Sequence, residues 1–306
     1  MNGGLTISMS QNEINYDSPA SIQAFLVQNG LAVSKRLGQN FLIDRSVRSR
    51  IVKALEVEEG MHVWEIGPGI GAMTTLLLDE GVRLSAFEID YGFVRVLEGL
   101  FSANENFSII KGDVLKTLCS QKEPPERIFG NLPYNFAFAI ISDILEMEFL
   151  PQRMIFTLQK EAAQRMVAGP GTKDYSSLSV FCASVCDVRI LFDIGSSAFW
   201  PRPRVTSSVV QLIPKKKSMS ASERKDFSDF VRAVFSSRRK TLRNTLRFWI
   251  KQRSPSLREE EIDTRLRAIL EELLIDPSIR AEVLTPDELF AVYRQLHALL
   301  ASSTSC

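Results

Sequence analysis

At 306 residues with 45% hydrophobic side chains, the chain has enough apolar material for real cores, which excludes general disorder. Its length suits one domain of ordinary size plus a smaller partner. The 37 Lys and Arg balance 36 Asp and Glu for a net charge of +1, a sum that conceals an uneven distribution.

The N-terminus, Met1 to Pro19, is polar and lacks a basic region followed by an apolar core, so no signal peptide is expected and residues 1–20 are expected to be flexible. No run of about 18 apolar residues occurs, so a soluble, cytoplasmic protein without a membrane span is expected. Cys119, Cys182, Cys186 and Cys306 form no paired framework, and Cys182 and Cys186 have no second ligand pair for zinc. His62 and His297 stand far apart without a motif around either. Reduced thiols are therefore expected, and a histidine triad or metal site is not.

Ser21 to Leu31 predicts a short helix. Lys35-Arg36-Leu37-Gly38-Gln39-Asn40-Phe41-Leu42 follows, and Asp44 is placed to cap a helix reaching about Leu55, with Val47, Ile51, Val52 and Leu55 on one face. From Met61 onward, short apolar runs alternate with amphipathic helices. His62 to Ile66, Arg83 to Ile89, Phe107 to Ile110, Arg127 to Gly130 and Arg153 to Leu158 read as strands; Met73 to Leu78, Phe93 to Leu100 and Phe138 to Leu145 read as helices. Strict alternation predicts an α/β fold: a parallel sheet covered on both faces, with ligands at the carboxyl ends of the strands. Leu178 to Ile194 and Val205 to Ile213, rich in Val, Ile and Phe, are expected as further strands. Pro214 to Ser222 is a short basic linker, and helices are expected around Phe227 to Phe235, Glu259 to Leu274 and Thr285 to Leu300. The expected domains are 21–213 and a helical 214–306.

The first strand runs into Glu65-Ile66-Gly67-Pro68-Gly69-Ile70-Gly71, where glycines let the backbone approach a ligand that any Cβ would strike. Glu88 ends the second strand about 20 residues on, the place of a carboxylate that accepts both ribose hydroxyls. These features alone fit either a nicotinamide dinucleotide or S-adenosylmethionine. Three details favour the sulfonium cofactor. The loop spacing is Gly-x-Gly-x-Gly, a poor match to the pyrophosphate-cradling form. Gly112-Asp113 follows the third strand, where a carboxylate can bond an adenine amine. Asn131-Leu132-Pro133-Tyr134 follows the fourth strand, where a reacting group would meet the methyl carbon.

That tetrapeptide suits an exocyclic amine. An adenine amine is a poor nucleophile because its lone pair is delocalised into the ring. The Asn131 amide oxygen and a backbone carbonyl fixed by Pro133 would accept its N–H groups and favour the pyramidal, reactive form, while Tyr134 stacks on the base.

From Arg202 to Arg253 basic residues far outnumber Glu223, Asp226 and Asp229, as expected of a phosphate-binding surface. Lys35, Arg36, Arg202, Arg204, Arg238, Arg239, Lys240 and Arg243 are the candidate RNA contacts, and Arg238 to Asn244 mixes charge with apolar anchors.

Gly38 to Leu42, Glu65 to Gly71, Glu88 to Asp90, Gly112-Asp113, Asn131 to Asn135 and Arg165 to Tyr175, all in order over about Lys35 to Leu246, resemble the ribosomal RNA adenine N6,N6-dimethyltransferases, in particular the bacterial small-subunit enzymes. The resemblance implies a Rossmann-like S-adenosylmethionine-dependent methyltransferase fold with a smaller all-α C-terminal domain. It implies dimethylation of two adjacent adenosines in small-subunit ribosomal RNA, within an immature 30S-type particle; a monomer is the default expectation. It also implies that Asn40 and Leu42 close over the cofactor, Gly67 lines its methionine end, Glu88 holds the ribose, Asp113 holds the adenine and Asn131 lies between cofactor and target amine. Gln39, Glu65, Gly69, Ile89 and Val114 complete that cofactor set, and Leu132, Pro133 and Tyr134 complete the target site. Phe199, in Ala198-Phe199-Trp200-Pro201-Arg202-Pro203-Arg204-Val205, would form a second aromatic wall around a flipped base, although Gly195-Ser196-Ser197 stands where the family has a proline-rich lead-in.

Three other readings remain open at this point. They are a large-subunit RNA adenine methyltransferase of the antibiotic-resistance type, a non-catalytic RNA-binding assembly factor, and a nicotinamide-dependent oxidoreductase.

Overall fold

The computed structural model describes residues 14–34, 37–133, 136–216 and 219–303. The chain folds as two compact units, Met1–Ala163 with Arg189–Pro214, and Gln164–Val188 with Lys215–Cys306.

In chain order the elements are α1 (Pro19–Gln28), β1 (Phe41–Leu42), α2 (Arg45–Leu55), β2 (His62–Ile66), α3 (Ala72–Asp79), β3 (Arg83–Glu88), α4 (Tyr91–Phe101), β4 (Phe107–Lys111), α5 (Val114–Thr117), β5 (Arg127–Asn131), α6 (Ala137–Glu146), β6 (Arg153–Gln159) and α7 (Lys160–Met166). They continue with α8 (Ser177–Val185), β7 (Cys186–Ile194), β8 (Phe199–Trp200), β9 (Ser207–Pro214), α9 (Ala221–Phe235), α10 (Leu242–Arg253), α11 (Glu259–Glu272) and α12 (Pro286–Ser303).

Seven strands form one sheet in the order β4-β3-β2-β5-β6-β9-β7. The first five are parallel, and β9 runs antiparallel to β6. The alternation of strand and helix forces this arrangement, because each crossover helix returns the chain to the same end of the sheet. β2 lies at the centre of the five parallel strands and is buried at every position, so the loop that leaves it opens in the middle of their carboxyl edge.

Helix starts follow local chemistry. The Asp44 carboxylate accepts the Val47 N–H at 3.1 Å and starts α2, whose Val47, Ile51, Val52 and Leu55 pack with Val63, Leu77, Phe129 and Ile155. Each such side chain contributes about 1.5–3 kcal/mol by leaving water. Gly71 caps α3 at φ +90, and a Cβ there would sit 2.7 Å from Cε2 of Phe101 on α4, so only glycine fits both the backbone and the packing.

Three expectations change. Leu178 to Val185 is the helix α8 and not a strand. Ser176 and Ser179 form a reciprocal capping box at its start, and Val180, Phe181, Cys182 and Val185 are all buried, a case in which an apolar run cannot reveal its own period. Gln164–Val188 groups with the helical unit, whereas the sequence kept it in the first domain. Residues 14–20, expected to be flexible, are held: Ile14 is buried, the Tyr16 hydroxyl donates to the Ile70 carbonyl at 3.2 Å, and Asp17 pairs with Arg48. Arg48 is itself buried and donates to the Leu42 and Tyr16 carbonyls at 3.0 and 3.3 Å. A further two-stranded sheet that periodicity did not suggest pairs β1 with β8, setting Leu42 opposite Phe199.

In the helical unit, Phe227, Phe230, Trp249 and Tyr293 form an aromatic core, with ring centroids of successive pairs 5.2 to 6.1 Å apart. The buried Tyr175 donates its hydroxyl to the Leu284 carbonyl at 2.9 Å. Cys182 and Cys186 are buried free thiols, and burial raises the pKa of both, Cys186 to about 12, so neither is a reactive group.

Candidate active site

Two cavities run along the carboxyl ends of β2 to β5 and meet at Leu37, Gly67, Glu88, Ile89 and Pro133. Gln39, Asn40, Leu42, Glu65, Gly69 and Asn131 line the first, Asp113 and Val114 the second, and Gly67, Glu88 and Ile89 both. Every residue expected to bind cofactor is thus gathered in one place.

Gly67 and Gly69 adopt φ +72 and +59, and a Cβ on Gly69 would lie 3.1 Å from the Phe41 ring. Glu88 is nearly fully buried. Its Oε2 accepts the Gly69 N–H at 3.2 Å and its Oε1 the Asp90 N–H at 2.8 Å, which fixes the carboxylate plane and leaves acceptor capacity on each oxygen. Burial pushes its pKa up to about 7, against the lowering effect of those two backbone hydrogen bonds. Glu65 is fully buried, accepts the Thr74 hydroxyl at 2.7 Å, and is pushed up to about 8, first by burial and further by Glu88. A bound cation would favour the ionised forms of Glu65 and Glu88, and Glu88 offers acceptors to ribose hydroxyls, so S-adenosylmethionine fits this donor set. The Asp113 carboxylate caps α5 by accepting the Leu115 N–H at 3.1 Å and keeps acceptor capacity toward the second cavity.

The cavity is also covered from the N-terminal side. Gln39 donates Nε2 to Asp90 Oδ2 at 3.1 Å and accepts the Ser34 N–H on Oε1 at 2.7 Å, latching the segment before β1 to the start of α4.

Asn131 ends β5. Its Nδ2 donates to the Asn40 carbonyl at 2.9 Å, which commits the amide nitrogen and turns Oδ1 the other way as an acceptor. Leu132 is buried, and its N–H donates to the Thr157 carbonyl at 3.2 Å. The Pro133 carbonyl is taken by the Phe136 and Ala137 N–H groups, both at 3.0 Å, so the acceptor carbonyl that the proline ring orients is that of Leu132. Tyr134 and Asn135 lie outside the described residues.

Phe199 is not a cavity wall in this structure. It is 3% exposed and packs with Leu42, Val47 and Ile51, because β8 lies against β1 and turns its side chain into the core. Phe136, 48% exposed and lining the second cavity, was not among the residues expected from sequence; its only signal is an apolar residue just before an amphipathic helix.

The basic residues separate into two groups. Arg202, Arg204, Arg239 and Lys240 are exposed, with Arg202 bonded to the Ser196 hydroxyl at 3.0 Å. Arg238 instead ties the helical unit together, donating to Glu282 at 3.0 Å and the Lys173 carbonyl at 2.9 Å, and Arg243 pairs with Asp263 at 2.9 Å. Arg224, counted in the basic block, is buried. Lys35, Arg36 and Lys217 lie outside the described residues. Among the described residues no helix is long and apolar enough to cross a membrane.

The family described as ribosomal RNA adenine dimethylase matches residues 30–275. The chain is 42% identical to ribosomal RNA small subunit methyltransferase A of Treponema denticola over 289 residues, covering 93% of this chain and 95% of the relative. It is 43% identical to the protein of the same name from Borreliella burgdorferi over 242 residues, covering 79% of this chain and 85% of that one. Among solved structures, a dimethyladenosine transferase from Plasmodium falciparum shares the fold with a TM-score of 0.70 and 22% identity, covering 83% of this chain and 96% of that one. The 23S rRNA methyltransferase ErmE shares it with a TM-score of 0.58 and 21% identity, covering 84% and 99%.

Proposed function

The chain belongs to the ribosomal RNA adenine dimethylase family, whose methyl donor is S-adenosylmethionine, and we propose that its own reaction is dimethylation of N6 on two adjacent adenosines of small-subunit ribosomal RNA. The observation that carries this reading is the arrangement of Asn131 in the lining of the first cavity, where Nδ2 is held by the Asn40 carbonyl and Oδ1 is left as an acceptor.

When bound, the cofactor supplies an electrophilic methyl group on a positively charged sulfur. Asn131 Oδ1 and the Leu132 carbonyl accept the two N6 hydrogens of a flipped adenine, which draws the nitrogen lone pair out of the ring and toward the methyl carbon. Asn40, Glu88 and Asp113 would hold the donor, which would pass its methyl group to N6 and keep the C–S bonding pair as a neutral thioether. N6 is then cationic and acidic, so its proton passes to water without a strong base.

The exposed cations Arg202, Arg204, Arg239 and Lys240 neutralise RNA phosphates. Further parts of the same reading are action in the cytoplasm, on an immature small-subunit particle, as a monomer. Purified protein with labelled S-adenosylmethionine should methylate adenines of unmethylated small subunits. Equal labelling of free large-subunit RNA would overturn the substrate assignment.

A further inference from the structure

The solvent face of α2 runs against the charge pattern that stabilises a helix. Its exposed residues are Arg45, Ser46, Ser49, Arg50 and Lys53, which share an arc of about 140° around the helix axis. From Arg45 to Leu55 the helix contains no acid. Arg45 stands in the first turn, where the helix dipole disfavours a cation, and Arg50 and Lys53, three residues apart, repel each other.

Elsewhere in the first unit surface cations meet carboxylates, as Arg83 does Glu123 at 2.9 Å and Lys160 does Asp193 at 2.6 Å. Arg45, Arg50 and Lys53 make no ion pair among the described residues. The acids that border the face are engaged. Asp44 accepts the Ser46 hydroxyl at 2.6 Å and the Val47 N–H at 3.1 Å, and Glu56 pairs with Arg153. Glu80, which lines a cavity with Lys53, stands at the far end. An exposed face that repeats one charge gives up local stability, and a partner of the opposite charge restores it.

The chemistry of the face selects that partner. It holds no exposed apolar residue, which an acidic protein or a bilayer would need. A phosphate backbone needs none, because cations alone bind it by displacing counterions. The Arg50 guanidinium carbon lies 3.7 Å from the centroid of the Phe192 ring on β7. A guanidinium stacked on a ring keeps its N–H fork in plane for two phosphate oxygens. Ser49, on the same arc, adds a hydroxyl of the kind that meets phosphates.

The face also begins close to the reaction. Leu42 lines the first cavity, and Arg45 follows three residues later, within about 11 Å along the chain. Arg50 and Lys53 stand about 7.5 and 12 Å further along the helix axis. We propose that this face of α2 is a phosphate-binding surface, additional to Arg202, Arg204, Arg239 and Lys240, on which Arg45, Arg50 and Lys53 hold the backbone of the substrate RNA. That the backbone is small-subunit ribosomal RNA rests on the function proposed above. Binding is read without methyl transfer, so failure of one claim is distinguishable from failure of the other.

The test is a filter-binding titration of the full chain over a range of salt, with unmethylated small-subunit ribosomal RNA and with an oligouridylate of mixed-sequence length. Arg45→Gln with Arg50→Gln should reduce the slope of log affinity against log salt by about 1.4 to 1.8, the share of two phosphates, and adding Lys53→Gln should remove about 0.7 to 0.9 more. Arg83→Gln with Lys122→Gln, a matched loss of two exposed cations at the start of β3 and in the loop before β5, should leave the slope unchanged. In the wild-type protein, bound RNA should protect the Lys53 amine from acylation. A slope as steep in the α2 variants as in the wild type, or Lys53 acylated equally with and without RNA, overturns the surface. A reduced slope on oligouridylate alone leaves a phosphate surface standing and overturns its assignment to the substrate. Anionic phospholipid vesicles that bind the wild type and not the α2 variants, with RNA slopes unchanged, assign the face to a membrane and overturn the proposal.

Discussion

Replacing Glu88 by Gln probes the ribose end of the cofactor site with little change of volume. In the wild type each carboxylate oxygen already accepts one backbone N–H, from Gly69 at 3.2 Å and Asp90 at 2.8 Å, and one further lone pair on each faces the cavity where the ribose hydroxyls would donate. A Gln amide offers a single acceptor oxygen, so at least one ribose hydrogen bond to a charged group is lost, worth about 1.5–3 kcal/mol, and the other becomes neutral and weaker. Titration calorimetry with S-adenosylmethionine at pH 8 should therefore show affinity about tenfold to 100-fold lower. The pH dependence has a definite sign. Burial raises the Glu88 pKa to about 7, so the carboxyl is ionised at pH 8 and largely protonated at pH 6. Hydroxyl donors select the ionised form, so wild-type affinity rises with pH through about 7, while Gln cannot titrate. The gap between wild type and variant should narrow by about tenfold or less per pH unit on going from pH 8 to pH 6. Equal affinities at pH 8, or a gap that widens in acid, would refute this placement of the ribose.

Asn131→Ala should lower the methyl-transfer rate in single turnover by about 100-fold to 1,000-fold, the effect of removing one preorganised transition-state contact. Cofactor affinity should move no more than about fivefold, because only the bond to the Asn40 carbonyl is shared with that site. A rate within a factor of about three of wild type contradicts the role of the amide. Gly71→Ala places a Cβ 2.7 Å from the Phe101 ring at φ +90 and should destabilise the first unit by about 2–5 kcal/mol in urea denaturation, and an unchanged midpoint contradicts the packing argument. Removing Arg239 and Lys240 together should weaken RNA binding and reduce the slope of log affinity against log salt by about 1.5 to 2; an unaltered slope makes them ordinary solvated charges.

The parts of the fold legible in the sequence are those governed by local period and spacing. The strands from His62 to Gln159 alternate with amphipathic helices, and a parallel sheet brings all their carboxyl ends to one edge, so Glu65, Glu88, Asp113 and Asn131 converge although no two are near in sequence. What escaped depends on contacts between distant segments. Phe199 is drawn into the core by pairing with Leu42, a match between two very short strands that carries no periodic signal. Arg238 and Arg243 read as free cations until Glu282 and Asp263 are seen beside them. The capping box of Ser176 and Ser179 marks the start of α8, whereas the β-branched and aromatic residues that follow it form an apolar run without a period of its own.

The central claim is that the amine of an adenine in small-subunit RNA, held by Asn131 and Leu132, receives two methyl groups. Mass analysis of the nucleosides released from small-subunit RNA after reaction with protein and S-adenosylmethionine tests it most directly. The account predicts N6,N6-dimethyladenosine, appearing with wild-type protein and strongly reduced with Asn131→Ala. Methylation at any other base or ring position, or unmodified adenosine throughout, would contradict it.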